Sequence, residues 1–231
     1  LAGWEGFGLV VQAYGPRARA VVDWLDALAR TLDRRLTVRL VKGAYWDAEI
    51  KRAQVLGLEG FAVFTRKAHT DTAYLACARA LLACRPRLYP QFATHNAHTA
   101  AAILELAGDD KSGIELQRLH GMGEALHELL RAEEGLPSRI YAPVGAHADL
   151  LAYLVRRLLE NGANSSFVHQ LLDADVPPAA IATDPIGEAL ATGAGPHPKI
   201  TPPPALYGPE RANARGFDHG DPATLEAIAA A

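Results

Sequence analysis

The chain has little cysteine, only two in 231 residues. Cys77 and Cys84 lie in an Ala- and Leu-rich stretch at a spacing that fits no zinc pattern, so they read as free thiols in a reducing cytosol. No segment approaches about 18 uninterrupted apolar residues, and no membrane-spanning helix is expected. No basic block or stripe is present, and a formal net charge of −3 argues against a dedicated nucleic-acid binder. The opening residues, Leu1-Ala2-Gly3-Trp4, carry neither an initiator Met nor signal-peptide features, which suggests a chain that begins inside a longer protein. There is no Gly-x-Gly-x-x-Gly fingerprint and no P-loop. Gly121-Met122-Gly123 is a lone Gly-x-Gly, able at most to leave helix-opening amides free for an anion. None of Ser112, Ser138, Ser165 and Ser166 sits in a nucleophile elbow, so covalent serine hydrolysis is not expected.

What is present is apolar: 49% hydrophobic residues are ample for a sizeable core. Strand and helix patterns alternate, as in parallel α/β proteins. The spacing predicts strands over 7–14, 36–44, 88–94, 114–119 and 139–144, with helices over 16–33, 47–56, 70–84, 97–107, 122–133 and 147–161 and a short apolar piece at 61–65. Five such βα units suit either an open doubly wound sheet or the C-terminal part of a (β/α)8 barrel. In both, sites gather at the C-terminal strand ends, where Gln12, Arg39, Lys42, His95, Asn96, Gln117 and Tyr141 fall. From about residue 173 the chain turns Pro- and Gly-rich, reading as an irregular connector with a weak helical pattern at 222–231.

Two places concentrate charge in apolar surroundings. Alternation along the second strand sends Arg39, Val41 and Gly43 to one side and Leu40, Lys42 and Ala44 to the other. Buried cations need anionic or polar partners, and a flavin would supply them. Gly43 would let a ligand approach the backbone, and Tyr45 and Trp46 offer aromatic surface. The alternative is a strand end with snorkelling cations. In the last predicted helix, Tyr153, Arg156, Arg157 and Glu160 share one face, opposite Leu151, Leu154, Val155, Leu158 and Leu159, which would anchor it on a core. Twin guanidiniums beside an aromatic ring suit a small carboxylate ligand, although a solvated face has the same pattern. His95 lacks a second ligand at metal spacing. Hydrogen bonding to a cofactor or to backbone, or a structural role, fits it better.

The segments Arg39-Leu-Val-Lys-Gly-Ala-Tyr-Trp-Asp47, Phe92-Ala-Thr-His-Asn96, Leu116-Gln-Arg-Leu-His-Gly-Met-Gly-Glu124, Tyr141-Ala-Pro-Val-Gly145 and Tyr153-Leu-Val-Arg-Arg-Leu-Leu-Glu-Asn-Gly-Ala-Asn-Ser-Ser-Phe167 together resemble the proline dehydrogenase domain of bifunctional proline utilization A flavoenzymes. The resemblance implies the C-terminal part of a distorted (β/α)8 barrel over 1–172, about strands four to eight and the final helix. Residues 173–231 would then lead toward an aldehyde dehydrogenase domain of the same polypeptide.

It further implies FAD-dependent oxidation of L-proline to Δ1-pyrroline-5-carboxylate. Arg156 and Arg157 would pair with the proline carboxylate, and Tyr45, Tyr141, Tyr153, Leu40, Ala44 and Leu119 would shape the pocket. Gln12, Arg39, Lys42, Gly43, Trp46, Thr65, His95, Asn96, Gln117, Glu160 and Phe167 would hold or neighbour FAD. By the same resemblance, a membrane quinone accepts the electrons and the protein is cytoplasmic, with peripheral attachment at the inner membrane face and homo-oligomerisation left open. The family's earlier strands, which contribute a Lys and an Asp to the active site, have no counterpart among these residues. A catalytically inactive fragment serving only assembly or substrate channelling is the alternative.

Overall fold

The computed structural model describes residue 4 and residues 6–162 and 175–230. Five strands form one parallel sheet: β1 (Gly8–Gln12), β2 (Leu36–Val41), β3 (Leu88–Ala93), β4 (Glu115–Leu119) and β5 (Ser138–Tyr141). Between them run α1 (Ala18–Leu32), α2 (Trp46–Leu56), α3 (Lys67–Ala83), α4 (Ala97–Ala107) and α5 (Glu124–Glu134), and α6 (His147–Gly162) follows β5. The strand order is β1-β2-β3-β4-β5, with every neighbour parallel. A doubly wound sheet reverses its order at a switch point. This one does not, so the chain winds in one direction only.

The main core lies between one sheet face and α1, α3 and α4. Leu36, Val38 and Leu40 of β2, Leu88 and Phe92 of β3 and Leu116 of β4 meet Val22 and Leu25 of α1, Tyr74 and Leu81 of α3 and Ile103 of α4. Asp26 is buried in α1 because Arg87, just before β3, donates to both its oxygens at 2.7 and 3.0 Å. Along β2 and β3 buried and half-buried residues alternate, so the residues between the core positions form a second face. That face carries Arg39, Gln91, Glu115, Gln117 and Arg139 in place of an apolar layer, linked side chain to side chain.

The 61–65 piece forms no strand. It lies in a loop where Phe61 and Val63 join Tyr14, Trp46, Ile50 and Ile200 in a small second core. The C-terminal segment, expected as an irregular connector, is hydrogen-bonded to the helices. It contains α7 (Pro178–Ile181), α8 (Pro185–Thr192) and α9 (Pro222–Ala229), of which only the last has a counterpart in the sequence pattern. Asp184 caps α8, accepting from the Ile186 and Gly187 amides, with Pro185 in the first turn; this Asp-Pro signal was legible but short. Arg66 donates to the carbonyls of Gly195 and Pro196, Gln54 to Thr201, and the Gly216 amide to Gly57.

Backbones meet closely at that last contact. A Cβ on Gly57, whose φ is +60°, would lie 1.8 Å from the Ala214 carbonyl oxygen. Gly57→Ala in the full-length protein is expected to lift residues 213–216 off α2 and to speed tryptic cleavage at Arg211 and Arg215 several-fold. An unchanged cleavage rate would show that the approach is not needed for docking.

Candidate functional site

The strand ends converge on two arginine–tyrosine clusters. Tyr45 follows β2 as the residue that opens α2. Arg156 of α6 lies over its ring, 3.9 Å from the centroid, and donates from Nη2 to its hydroxyl at 3.1 Å. Tyr153, one turn earlier in α6, stands 5.9 Å from the Arg156 guanidinium and 5.3 Å from that of Arg157. Arg39 lies 4.9 Å over the Tyr141 ring and donates from Nε to Gln117 Oε1 at 2.7 Å. Rings under guanidiniums hold them without neutralising them. The charge of Arg156 therefore stays available for an anion, and its Nε is buried with no hydrogen-bond partner among the described residues.

The orientation of α6 corrects one expectation. Tyr153, Arg156 and Arg157 are half-buried, whereas Leu151, Leu154 and Val155 are 53, 43 and 44% exposed. The cationic face is turned toward the strand ends, and Leu151, Leu154 and Val155 do not anchor α6 on a core; the side chains of Leu158 and Leu159, expected to join them, lie outside the described residues.

His95 stands beside these clusters. The Leu119 amide donates to its Nε2 at 3.0 Å, so the ring proton resides on Nδ1. Burial, then the proximity of His127 and Arg157, pushes its pKa down to about 4. His95 is thus a neutral donor at ordinary pH. Gly123 backs the ring closely, since a Cβ there would lie 2.9 Å from His95 Cδ2. Behind it, His127 meets the Thr94 carbonyl through Nε2 at 2.9 Å and the Ser138 hydroxyl through Nδ1 at 2.8 Å.

The structure separates the remaining expected site residues. Leu119 and Tyr141 are register partners at the β4 and β5 ends, on the same face as Gln117 and Arg139. Ala44 is exposed at the β2 end, where its amide donates to Gln12 Oε1 at 3.3 Å. Leu40 is different. It is fully buried in the main core, with Val38 and Phe92, so it does not line the strand-end surface.

Gly43, expected to admit a ligand, has a φ of +146° and gives its space to Tyr14, whose ring would lie 2.2 Å from an added Cβ. The Trp46 indole donates to the Phe64 carbonyl, the Thr65 hydroxyl accepts from the His197 amide, and Asn96 caps α4 by accepting from the Thr99 amide. These side chains have work inside the fold. Lys42 pairs with Asp71 of α3 at 2.6 Å. Burial depresses the Lys42 pKa and opposes ionisation of Asp71, but the charges of Lys42 and Lys67 hold the Asp71 carboxyl below its usual range. Phe167 and the Glu160 side chain lie outside the described residues.

Asp71, Glu115 and His127 were missed by sequence reasoning. A carboxylate in an apolar parallel strand was a usable signal for Glu115, since burial demands partners. Nothing local marked the other two. No group of three or more His, Cys, Asp or Glu able to hold a metal occurs among the described residues.

Comparison with known proteins matches this architecture. The family profile described as Proline dehydrogenase matches residues 1–170. The bifunctional protein PutA of Salmonella typhimurium is 54% identical over 244 aligned residues, which take in all of this chain and 18% of that protein. A crystal structure of bifunctional proline utilization A (PutA) superposes with a TM-score of 0.91 at 59% identity, covering 98% of this chain and 23% of that one. PutA from Bdellovibrio bacteriovorus inactivated by N-propargylglycine is more distant, with 37% identity, a TM-score of 0.76, and coverage of 86% of this chain and 20% of its own. The chain therefore spans about a fifth of the length of these relatives. Matched over nearly three-quarters of its length, with cations and tyrosines assembled at the ends of a parallel sheet, the chain belongs to the proline dehydrogenase family.

Proposed function

We propose that this chain is the C-terminal part of a proline-oxidising (β/α)8 barrel that converts L-proline to Δ1-pyrroline-5-carboxylate with FAD, within a longer bifunctional polypeptide. The observation that carries this reading is the inward-facing Arg156–Arg157 pair against Tyr45 and Tyr153. The unreversed strand order supports a barrel, because each βα unit turns the same way.

In this reading the two guanidiniums bind the proline carboxylate, a planar anion matched to their donor geometry. Tyr45, Tyr153 and Tyr141, with Leu119 and Ala44, bound a small ring and exclude water from it. FAD, when bound, would supply the two-electron acceptor for hydride from the proline carbon next to nitrogen, with flavin N5 as the accepting atom that the family resemblance implies. Arg39 and His95 fit such a group as donors at the same edge, one fixed by Gln117 and Tyr141 and the other by the Leu119 amide. Gln12 and Gln117 lie on that face, while Lys42 ties the β2 end to Asp71 of α3 and Trp46, Thr65 and Asn96 hold the surrounding backbone. Passage of electrons to a membrane quinone, and of product to a fused aldehyde dehydrogenase domain reached through residues 173–231, belongs to the whole protein. No described helix is long and apolar enough to cross a membrane.

The test is optical. The purified full-length protein should be yellow, with flavin absorbance that bleaches when proline is added without an electron acceptor. Protein that stays colourless after incubation with FAD would favour a non-catalytic assembly role instead.

A further inference from the structure

The second face of the sheet has a buried carboxylate at its centre. Glu115, 3% exposed, receives five hydrogen bonds. Arg139 donates to both oxygens at 2.6 and 2.9 Å, Gln91 and Gln117 donate to Oε1 at 2.7 and 2.9 Å, and the Tyr89 hydroxyl reaches Oε2 at 3.3 Å. Ionised Glu115 can only accept. Gln117 must therefore present its NH2 to Glu115, which leaves Oε1 for the Arg39 Nε–H at 2.7 Å. Flipping the amide would set oxygen against carboxylate and NH2 against guanidinium. The polarity of the whole chain, carboxylate to amide to guanidinium, is fixed from Glu115.

We propose that Glu115 is a positioning residue that acts through the Gln117 amide to hold Arg39 at the cofactor edge. Its functional readout rests on the flavin reading above, but its geometric claim does not. Arg39 reaches the site only if Gln117 is correctly turned, and Arg139, on the far side of Glu115, supplies the counter-charge that keeps the hub ionised.

The test is a double-mutant cycle in the full-length protein, combining Glu115→Gln with Arg39→Met and reading FAD dissociation by flavin fluorescence. Glu115→Gln alone is expected to weaken FAD binding roughly tenfold, as one misdirected charge-assisted contact would, and to have little effect once Arg39 is Met. An equal loss in both backgrounds would overturn the proposal by showing that Glu115 acts on the fold generally. If Glu115→Gln yields no soluble protein, Gln117→Leu replaces it in the same cycle with the same expected dependence on Arg39. A crystal structure of the single variant gives a flavin-independent reading, in which Arg39 should leave Gln117. An unmoved Arg39 would refute positioning, whereas wild-type protein that takes up no FAD would refute only the flavin reading.

Discussion

Arg156→Met is expected to raise the KM for proline roughly ten- to a hundredfold in the full-length protein, with a smaller change in kcat. Methionine keeps the length and packing of the stem and removes only the charged fork. One charge-assisted contact to a carboxylate contributes ~1.5–3 kcal/mol, and ~1.4 kcal/mol corresponds to a tenfold change. The carboxylate is bound alike before and during reaction, so the loss falls mainly on binding. Arg156→Lys should recover only part of it, because an ammonium cannot reproduce the planar fork or lie flat on Tyr45. Steady-state kinetics across proline concentration checks this. A KM unchanged in Arg156→Met would remove the clamp from the mechanism.

Stability should fall as pH drops from about 6.5 toward about 4, and His95 should account for much of the fall. Its folded pKa lies near 4, below the ordinary 6.5, because burial and the neighbouring His127 and Arg157 disfavour the charged ring. In that window the unfolded chain binds a proton that the folded one refuses, so acid favours unfolding. The contribution is complete above pH about 6.5 and is lost as pH approaches the folded value. Its full size is about 3 kcal/mol at ~1.36 kcal/mol per pH unit. His95→Gln should flatten the dependence between pH 6.5 and 4, measured by denaturant unfolding at a series of pH values. Burial also lowers the His127 pKa, so that ring contributes in the same window, and the lowered carboxylates of Asp26, Asp71 and Glu115 add their loss as pH falls further; the difference between the two proteins is what isolates His95. Parallel curves for the two proteins would mean that His95 is not held neutral by the fold.

Much of the fold was legible because apolar periodicity and backbone geometry are local. The predicted helix over 97–107 coincides with α4, and the strand over 88–94 overruns β3 by one residue. Strand ends were placed less well where side chains end the ladder. β2 stops at Val41, three residues short of the expected 44, because Gly43 turns the backbone to seat Tyr14. Alternation put Arg39 and Leu40 on opposite faces correctly. It could not tell that Leu40's side was the core and that Arg39's was a polar network.

The sequence by itself determined the order of strands and helices, the clustering of cations and tyrosines at strand ends, and the family those residues belong to. Only the tertiary structure decided which expected ligands already serve the fold, as Trp46, Thr65, Asn96 and Gly43 do. It also decided that the polar face of α6 points inward and that Glu115 and Asp71 anchor the cations. The physical reason is distance along the chain. Periodicity reports neighbours a few residues apart. Arg156 meets Tyr45 across 111 residues, and Arg39 meets Gln117 across 78. Those pairings exist only once parallel strands have brought their C-terminal ends to one edge.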